Sequence, residues 1–539
     1  MTVKEWLKNK ILRFLGIEHL SENPNSQRLT FISDNDDIIM AEIMENKTWY
    51  IGNSSELLNL YTGQEVFGYY KNPLYNRNSR FLFWGLSSSE CDIKRIHCGI
   101  PNAIITTLVN AIGYPDISVN NSAAISLDAI EQNKKLNDKL LNILDKNSFK
   151  NKYNQEQMPL TMVEASGAWK IDIDPDFADY PILQYYEAEN VEFYEKYGKV
   201  IGIVYKDYYK KDNKDYIKFE IRRIDKNKDS VIEHELYRLG KNNDLIKCDL
   251  SDIPELADLK PLRIPGLNRI LGVPCKFFHN PIYPTRGRSI FSGKIEMFDL
   301  LDEIWSQLSQ TNRVSTPVEY YPVDTLERTK NGVAVLPTRY NRQFIKKEGV
   351  PDGDGNTDGK IETTQPQLNY NQYIEAFRAT LDCILTGMLS PATMGIDVAK
   401  KDNADAQREK EKVTTMTALN IEDSEEKVIK ELCTLLLMVQ EYIDTGKITI
   451  TDYDIVVKYK DIATPSFNQN LQILGAARQM GNISNKMYVD LLWGDTLTEE
   501  QKEEEIKRLE EKEKSDNFNL NGMFNNDSTE DSTGEDLQE

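Results

Sequence analysis

From residue 291 the apolar positions recur every three or four residues: Phe291, Ile295, Phe298, Leu301, Ile304 with Trp305, then Leu308. Glu296, Asp299, Glu303 and Gln307 fall between them, which is the period of an amphipathic helix. Pro317 and Pro322 stop any continuation. A second run of the same period, Tyr370, Ile374, Phe377, Leu381, Ile384 with Leu385, then Met388, predicts another such helix that closes within Gly387 to Pro391. The stretch between them, 317–367, predicts a compact insert of short strands with a Gly/Asp-rich tip at 349–359. A flexible segment, Ala392 to Asn403, leads into a long helix from Ala404 to about Ile443, with Val428, Leu432, Leu435 and Val439 on one face.

Earlier in the chain the pattern is mixed. Leu57 to Tyr70, Ile100 to Ile112 and Ser126 to Leu144 predict helices, the second carrying Ile100, Ile104, Leu108 and Ile112 at four-residue spacing before Gly113-Tyr114-Pro115. The period then shortens to that of strands. Met162 to Ala165, Gly167 to Ile173, Val191 to Tyr197, Val200 to Tyr209, Tyr216 to Arg223 and Val231 to Leu239 are rich in β-branched and aromatic residues. Gly198-Lys199 and Asp212 to Asp215 are turn chemistry, so an antiparallel meander is expected over about 160–240. The class expected is α+β, and no 20–50-residue repeat suggests a solenoid.

Composition narrows the possibilities. The chain has 539 residues and a formal charge of -21, with 40% hydrophobic and 28% charged residues, enough for two or more packed regions. From Asp495 to Glu539 the net charge is -11, so about half the acidity is a tail: a solvated charged helix over 498–515, then a segment from 516 with too little apolar content to order itself. The mildly acidic remainder argues against a protein that grips DNA over a broad basic surface. No apolar run approaches the roughly 20 residues of a spanning helix, so no membrane partner is expected. The basic, apolar start, Trp6 to Leu15, is interrupted by charge and reads as a surface-packing helix rather than a secretory signal. Six cysteines lie far apart without a CxxC, as free thiols in a reducing compartment would.

Catalytic signatures fail on inspection. Gly353 to Lys360 offers no GxxxxGK[ST] register, and Ile361 stands where a hydroxyl is needed. Asp352, Asp354, Asn356 and Asp358 resemble a calcium loop, but Thr357 replaces its glycine and Thr363 its terminal glutamate; an exposed hairpin tip is the better reading. Asp172, Asp174 and Asp176 alternate as metal ligands on a strand could, yet Pro175 among them favours a solvated strand end. His19, His97, His234 and His279 show neither HExxH nor zinc spacing, and the neighbours His97 and Cys98 would point apart on any regular element. No catalytic centre, metal or cofactor is expected.

The order of parts is more informative: a mixed region, an amphipathic helix, a small β insert, a second amphipathic helix, a flexible loop and a long helix. Within it stand Tyr69-Tyr70-Lys71 with Asn76-Arg77, Ile93 to Pro101, Gly167 to Ile173 with Tyr180-Pro181-Ile182, and Arg286-Gly287-Arg288-Ser289. Thr386 to Asp397 then precedes the charged helix Arg408 to Lys412, and Gly481 to Ser484 precedes Gly494-Asp495 and the Glu/Lys-rich helix. In this order the chain resembles the portal proteins of tailed double-stranded-DNA bacteriophages, of the type found in phages of Gram-positive hosts. It departs from that pattern at Asn403-Ala404-Asp405-Ala406, where the helix after the loop usually opens on Thr-Ala-Thr-Glu-like residues.

The resemblance implies a wing over 1–287, stem helices over 288–314 and 368–390, a clip over 315–367, a channel loop over 391–404, a long wing helix and helical crown over 405–515, and a disordered acidic tail over 516–539. It implies a non-enzymatic ring, usually of twelve subunits, at one capsid vertex of the virion, assembled in the host cytoplasm. Double-stranded DNA would pass through its channel in packaging and ejection. The implied partners are further copies of the chain, the large terminase subunit, a neck or adaptor protein and the major capsid protein, with the need for a scaffold protein left open. By position, Phe291, Ile295, Phe298, Trp305, Phe377, Leu381 and Ile384 would pack the stem. Asp352, Asp354, Asn356 and Asp358 would meet terminase or neck at the clip. Met394, Ile396, Asp397, Val398, Lys400, Lys401 and Asn403 would line the channel loop, with Lys400 and Lys401 either touching phosphates or simply solvated. The alternatives are another capsid or neck structural protein, or a metal-dependent nucleic-acid enzyme using Asp172, Asp174 and Asp176.

Overall fold

A computed structural model describes residues 36–73, 82–87, 91–119, 127–240, 245–282, 284–315, 317–322, 326–333, 335, 343–347, 362–365, 369–396, 404–450, 452–460, 471, 474–478, 480–493, 497 and 500–512. The chain divides into two compact units, Met1–Lys460 and Asp461–Glu539. It is a mixed α+β protein.

The first unit begins with helices α1 (Asp36–Ile51) and α2 (Ser54–Thr62). The helix expected to run on to Tyr70 ends at Gly63, whose φ of 73° lets its N–H reach back to Asn59 O. Phe67 and Gly68, both at positive φ, then turn β1 (Glu65–Val66) onto β2 (Tyr70–Lys71). Helix α3 (Ile100–Ile112) forms where its four-residue spacing predicts, burying Ile104, Leu108 and Ile112. Strand β3 (Asp116–Val119) and helix α4 (Leu127–Lys146) follow. A helical stretch then runs through α5 (Phe149–Lys152), a π turn (Tyr153–Gln157) and α6 (Met158–Glu164). The strand expected at Met162 is therefore helical. Met158, Thr161, Met162 and Val163 are buried on all sides, and a short run buried all round carries no period to separate strand from helix.

The meander is present. Strands β4 (Gly167–Asp172) and β5 (Ile182–Glu187) lead into β6 (Val191–Lys196), β7 (Lys199–Lys211), β8 (Lys214–Ile224), β9 (Ser230–Leu239) and β10 (Leu245–Cys248), with β11 (Leu262–Ile264) and β12 (Gly272–Cys275) after them. One antiparallel sheet has the order β10-β9-β8-β7-β6, with β11 also on β9; a smaller one is β12-β4-β5. The two-residue loops Tyr197-Gly198 and Asp212-Asn213 have positive φ at both positions, the geometry that matches strand twist. The face of the large sheet that carries Phe193, Ile203 and Tyr205 packs with Ala168 of β4. The opposite face buries Tyr194, Val204, Ile217, Phe219 and Ile221.

Charge is enclosed where the sheets meet. Arg222 is fully buried and donates through Nε to Glu220 Oε1 at 2.8 Å, through Nη1 to Ile171 O at 2.6 Å, and through Nη2 to Asp172. Lys170 lies 3.1 Å from Glu220 and 3.2 Å from Asp172, and Lys218 lies 2.8 Å from Asp207. Burial alone would raise the Glu220 carboxyl, but Arg222, Lys170 and Lys218 overcome it and hold it well below the usual range.

Beyond the sheets come α7 (Ile295–Val314), a three-stranded sheet, α8 (Tyr370–Leu385) and α9 (Ala404–Thr445). In the insert, β13 (Val318–Pro322) lies between β14 (Gln343–Lys347), parallel to it, and β15 (Glu362–Thr364), antiparallel. The short strands expected there are present. Helix α7 starts at Ile295 rather than near 288, because Gly293 at φ 76° and Lys294 turn the chain just before it. Leu432 to Gln440 of α9 are buried at every position, so this part is a core helix rather than one with a single apolar face. Strand β16 (Ile455–Lys458) pairs with β3 and returns the chain to its beginning.

In the second unit, α10 (Asn485–Trp493) starts after Gly481 and Ser484, whose hydroxyl accepts Met487 N–H at 3.2 Å. Residues 500–512 are helical, and Lys502 lies 3.8 Å from Asp490.

Candidate functional site

The two helices around the insert run antiparallel. Lys294 at the head of α7 meets the end of α8, Trp305 stacks on Phe377 with ring centroids 5.3 Å apart, and Thr311 lies 3.3 Å from Tyr373. Lys294 Nζ donates to Cys383 O at 2.8 Å and Thr386 O at 3.4 Å, so a cation caps carbonyls that the end of α8 leaves unpaired. Gly387 at φ 79° ends that helix and turns the chain.

Of the residues expected to pack this pair, Trp305 and Phe377 meet each other, and Leu381 and Ile384 are buried on α8. Phe291 and Phe298 meet edge to face at 5.3 Å, and Phe298 also meets Trp49 of α1 at 5.9 Å. Phe298 thus seats α7 on α1 of the body. Ile295 opens α7 and is partly buried.

The attachment of α7 is polar, and the sequence reading missed it. Asp299 Oδ2 accepts Phe83 N–H at 2.7 Å and Asp299 Oδ1 accepts Trp84 N–H at 3.1 Å. Asp302 Oδ2 accepts Trp84 Nε1–H at 3.1 Å and lies 2.8 Å from His97 Nδ1, while its Oδ1 accepts Cys98 N–H at 2.9 Å. One turn on, Ser306 Oγ accepts Ile96 N–H at 2.9 Å. The steps of three and four residues place Asp299, Asp302 and Ser306 on one helix face. All three are buried, and that was the available signal: three polar positions recurring in phase inside an apolar face. Burial pushes the Asp299 carboxyl up to about 6, against the pull of the Phe83 and Trp84 amides. His97 and Cys98 thus converge on Asp302 rather than on each other. Burial, with Asp302 beside it, raises the Cys98 thiol well above its ordinary value, opposite to the shift that activates a nucleophile.

The segment after α8 is anchored at its base. Ser390 N–H donates to Thr414 Oγ1 at 2.9 Å, and the hydroxyls of Thr393 and Thr414 lie 3.0 Å apart, tying it to the start of α9. Met394 is partly buried and Ile396 is exposed. Asp397, Val398, Lys400, Lys401 and Asn403 lie outside the described residues, as do Asp352, Asp354, Asn356 and Asp358.

The aspartate cluster does not form a cation site. Asp172 is taken up by Arg222 and Lys170, and Asp174 Oδ1 accepts Asp176 N–H at 3.1 Å in a turn. Among the described residues no group of acidic, histidine or cysteine side chains is arranged to hold a metal. All six cysteines are free. No helix of the described residues is long and apolar enough to cross a membrane.

No family model matches the chain, and no curated protein matches it.

Proposed function

We propose that the chain is a portal subunit: one member of a ring at a capsid vertex through which double-stranded DNA is packaged and ejected. The observation that carries this reading is the antiparallel pair α7/α8 with a three-stranded sheet between them in sequence, followed directly by an anchored loop and the 42-residue helix α9. Such a pair can hold its insert away from the body, and repeated copies packed side by side close into a ring. In this reading the body up to 287 is the wing, α7 and α8 the stem, 315–367 the clip and 391–404 the channel loop. The clip would meet terminase and neck proteins, and 405–515 would form the long wing helix and crown.

The charge distribution suits the proposal. Double-stranded DNA carries one charge per about 1.7 Å of axis, so a strongly basic lumen would hold it, whereas a mildly acidic wall lets it slide. The proposed role needs neither cofactor nor metal, because the driving ATPase would be a separate terminase chain.

Electron microscopy of the purified chain tests it. Twelve copies of 62.1 kDa give a particle of about 745 kDa with an axial hole. A species that stays monomeric by light scattering at assembly concentrations, with no ring in the micrographs, rules the proposal out.

A further inference from the structure

We propose that two short segments, 82–87 and 91–98, form a strap that opens as one unit and, on opening, releases helix α7 from the body. The inference rests on geometry within a single chain and stands whether or not copies assemble into a ring.

Three observations carry it. Among the described residues, every side-chain hydrogen bond from α7 to the body ends on these segments: Asp299 on Phe83 and Trp84, Asp302 on Trp84, His97 and Cys98, and Ser306 on Ile96. Between α7 and α1 the contact is aromatic, Phe298 on Trp49, and Trp49 also lies 5.6 Å from His97. The Phe298–Trp49 contact supplies apolar burial, and the directional polar bonds to the strap add to it in setting the angle of α7. Second, the segments have little structure of their own. Apart from one short 3₁₀ turn at Phe83–Gly85 they belong to no ladder; Gly85, Leu86 and Cys91 N–H donate within the segments, while the amides of Phe83, Trp84, Ile96 and Cys98 depend on α7. Third, Asp302 serves both segments at once. Losing it removes bonds to Trp84, His97 and Cys98 together, which makes release cooperative rather than piecemeal.

The bonds are also sensitive to charge. Two carboxylates stand one turn apart and accept N–H donors, and the groups around them are Tyr61 of α2, Glu303 of α7, and His97 and Cys98 of the strap. Protonating Asp299, which sits close to neutrality for a carboxyl, weakens its two charge-assisted bonds to ordinary ones.

Hydrogen-exchange mass spectrometry on the full chain tests the strap, comparing wild type with Asp302→Asn, which keeps the shape but loses an acceptor. Arg313→Gln, exposed on the same helix, serves as the control. The expected result is a rise of about tenfold or more in exchange at 82–87, 91–98 and 295–308 together. The β6–β10 strands stay protected, and the control is unchanged. If only the strap peptides speed up while α7 stays protected, or if the sheet speeds up equally, the proposal is wrong. Should Asp302→Asn not fold, Ser306→Ala removes only the Ile96 bond and gives the same pattern at smaller amplitude; an unchanged profile there also overturns it.

Discussion

Gln157 Nε2 donates to Glu425 Oε1 at 2.6 Å inside the core, and among the described residues no cation pairs with that carboxyl. Gln157 Oε1 and Glu425 Oε2 are both buried without a partner. Burial therefore pushes Glu425 up to about 8, and it is a neutral acid at pH 7. A carboxyl raised in the folded state binds its proton more tightly there than in the unfolded chain, so stability falls as pH rises from about 4.5 to about 8. Glu425→Gln removes that dependence and supplies a donor and an acceptor. Denaturant unfolding should show little difference at pH 4.5. The variant should gain on wild type by on the order of 2 kcal/mol by pH 7, and the gap should level above pH 8.

The charges between the sheets give the opposite sign. Glu220 is depressed, so its contribution is present above about pH 4.5 and is lost as pH falls further. Arg222→Met leaves Glu220 and Asp172 without their main partner and should cost about 3–5 kcal/mol at pH 7. Titrating wild type and variant from pH 6 to pH 3 should show the difference shrinking as Glu220 protonates in the variant.

Gly287 is a packing constraint rather than a hinge. A Cβ there would stand 2.2 Å from Ala165 O and 2.3 Å from Phe277 O, backbone atoms that cannot swing aside. Gly287→Ala should cost upwards of about 3 kcal/mol or give no soluble protein. Gly293→Ala meets nothing and carries only the cost of its positive φ, about 1 kcal/mol. Thermal melts of the pair separate the two causes.

Lys294 joins the ends of two helices, and Lys294→Met keeps its length without its charge. Losing the cap on Cys383 O and Thr386 O should cost about 0.3–1 kcal/mol and raise amide exchange in 386–396 before it does so elsewhere.

On the portal reading, replacing Lys400 and Lys401 with alanine should leave rings intact by electron microscopy and alter the rate of DNA packaging in a reconstituted assay. Unchanged packaging would make them solvated loop lysines.

The helix pair and the meander were legible because each repeats a period, 3.6 or 2, and because Gly198-Lys199 and Asp212 to Asp215 signal turns, the first of which falls one residue earlier, at Tyr197-Gly198. Residues 158–164 were not, since a segment buried on every side shows no period. Helix α1 escaped for a similar reason, with Ala41, Ile43, Met44 and Trp49 buried among polar neighbours that include the buried Asn46 and Thr48. The strap was least legible. Most of its donors are backbone amides, which every residue possesses, and only the buried spacing of Asp299, Asp302 and Ser306 hinted at them.

The enclosed charges have a consequence for how the large sheet forms. A strand slipping by two residues keeps its apolar face inward, so hydrophobicity alone does not forbid that error. In the native register Asp207 faces Lys218 and Tyr205 faces Glu220. Slipped one way, Asp207 would face Glu220, placing a second carboxylate beside one that is shut away from water. Slipped the other, Lys218 would face Tyr205 and Glu220 would face Ile203. Either misalignment strands charge in the interior at a cost of several kcal/mol. The ions between the sheets thereby proofread the alignment of β7 and β8, rejecting frames that oily side chains would accept.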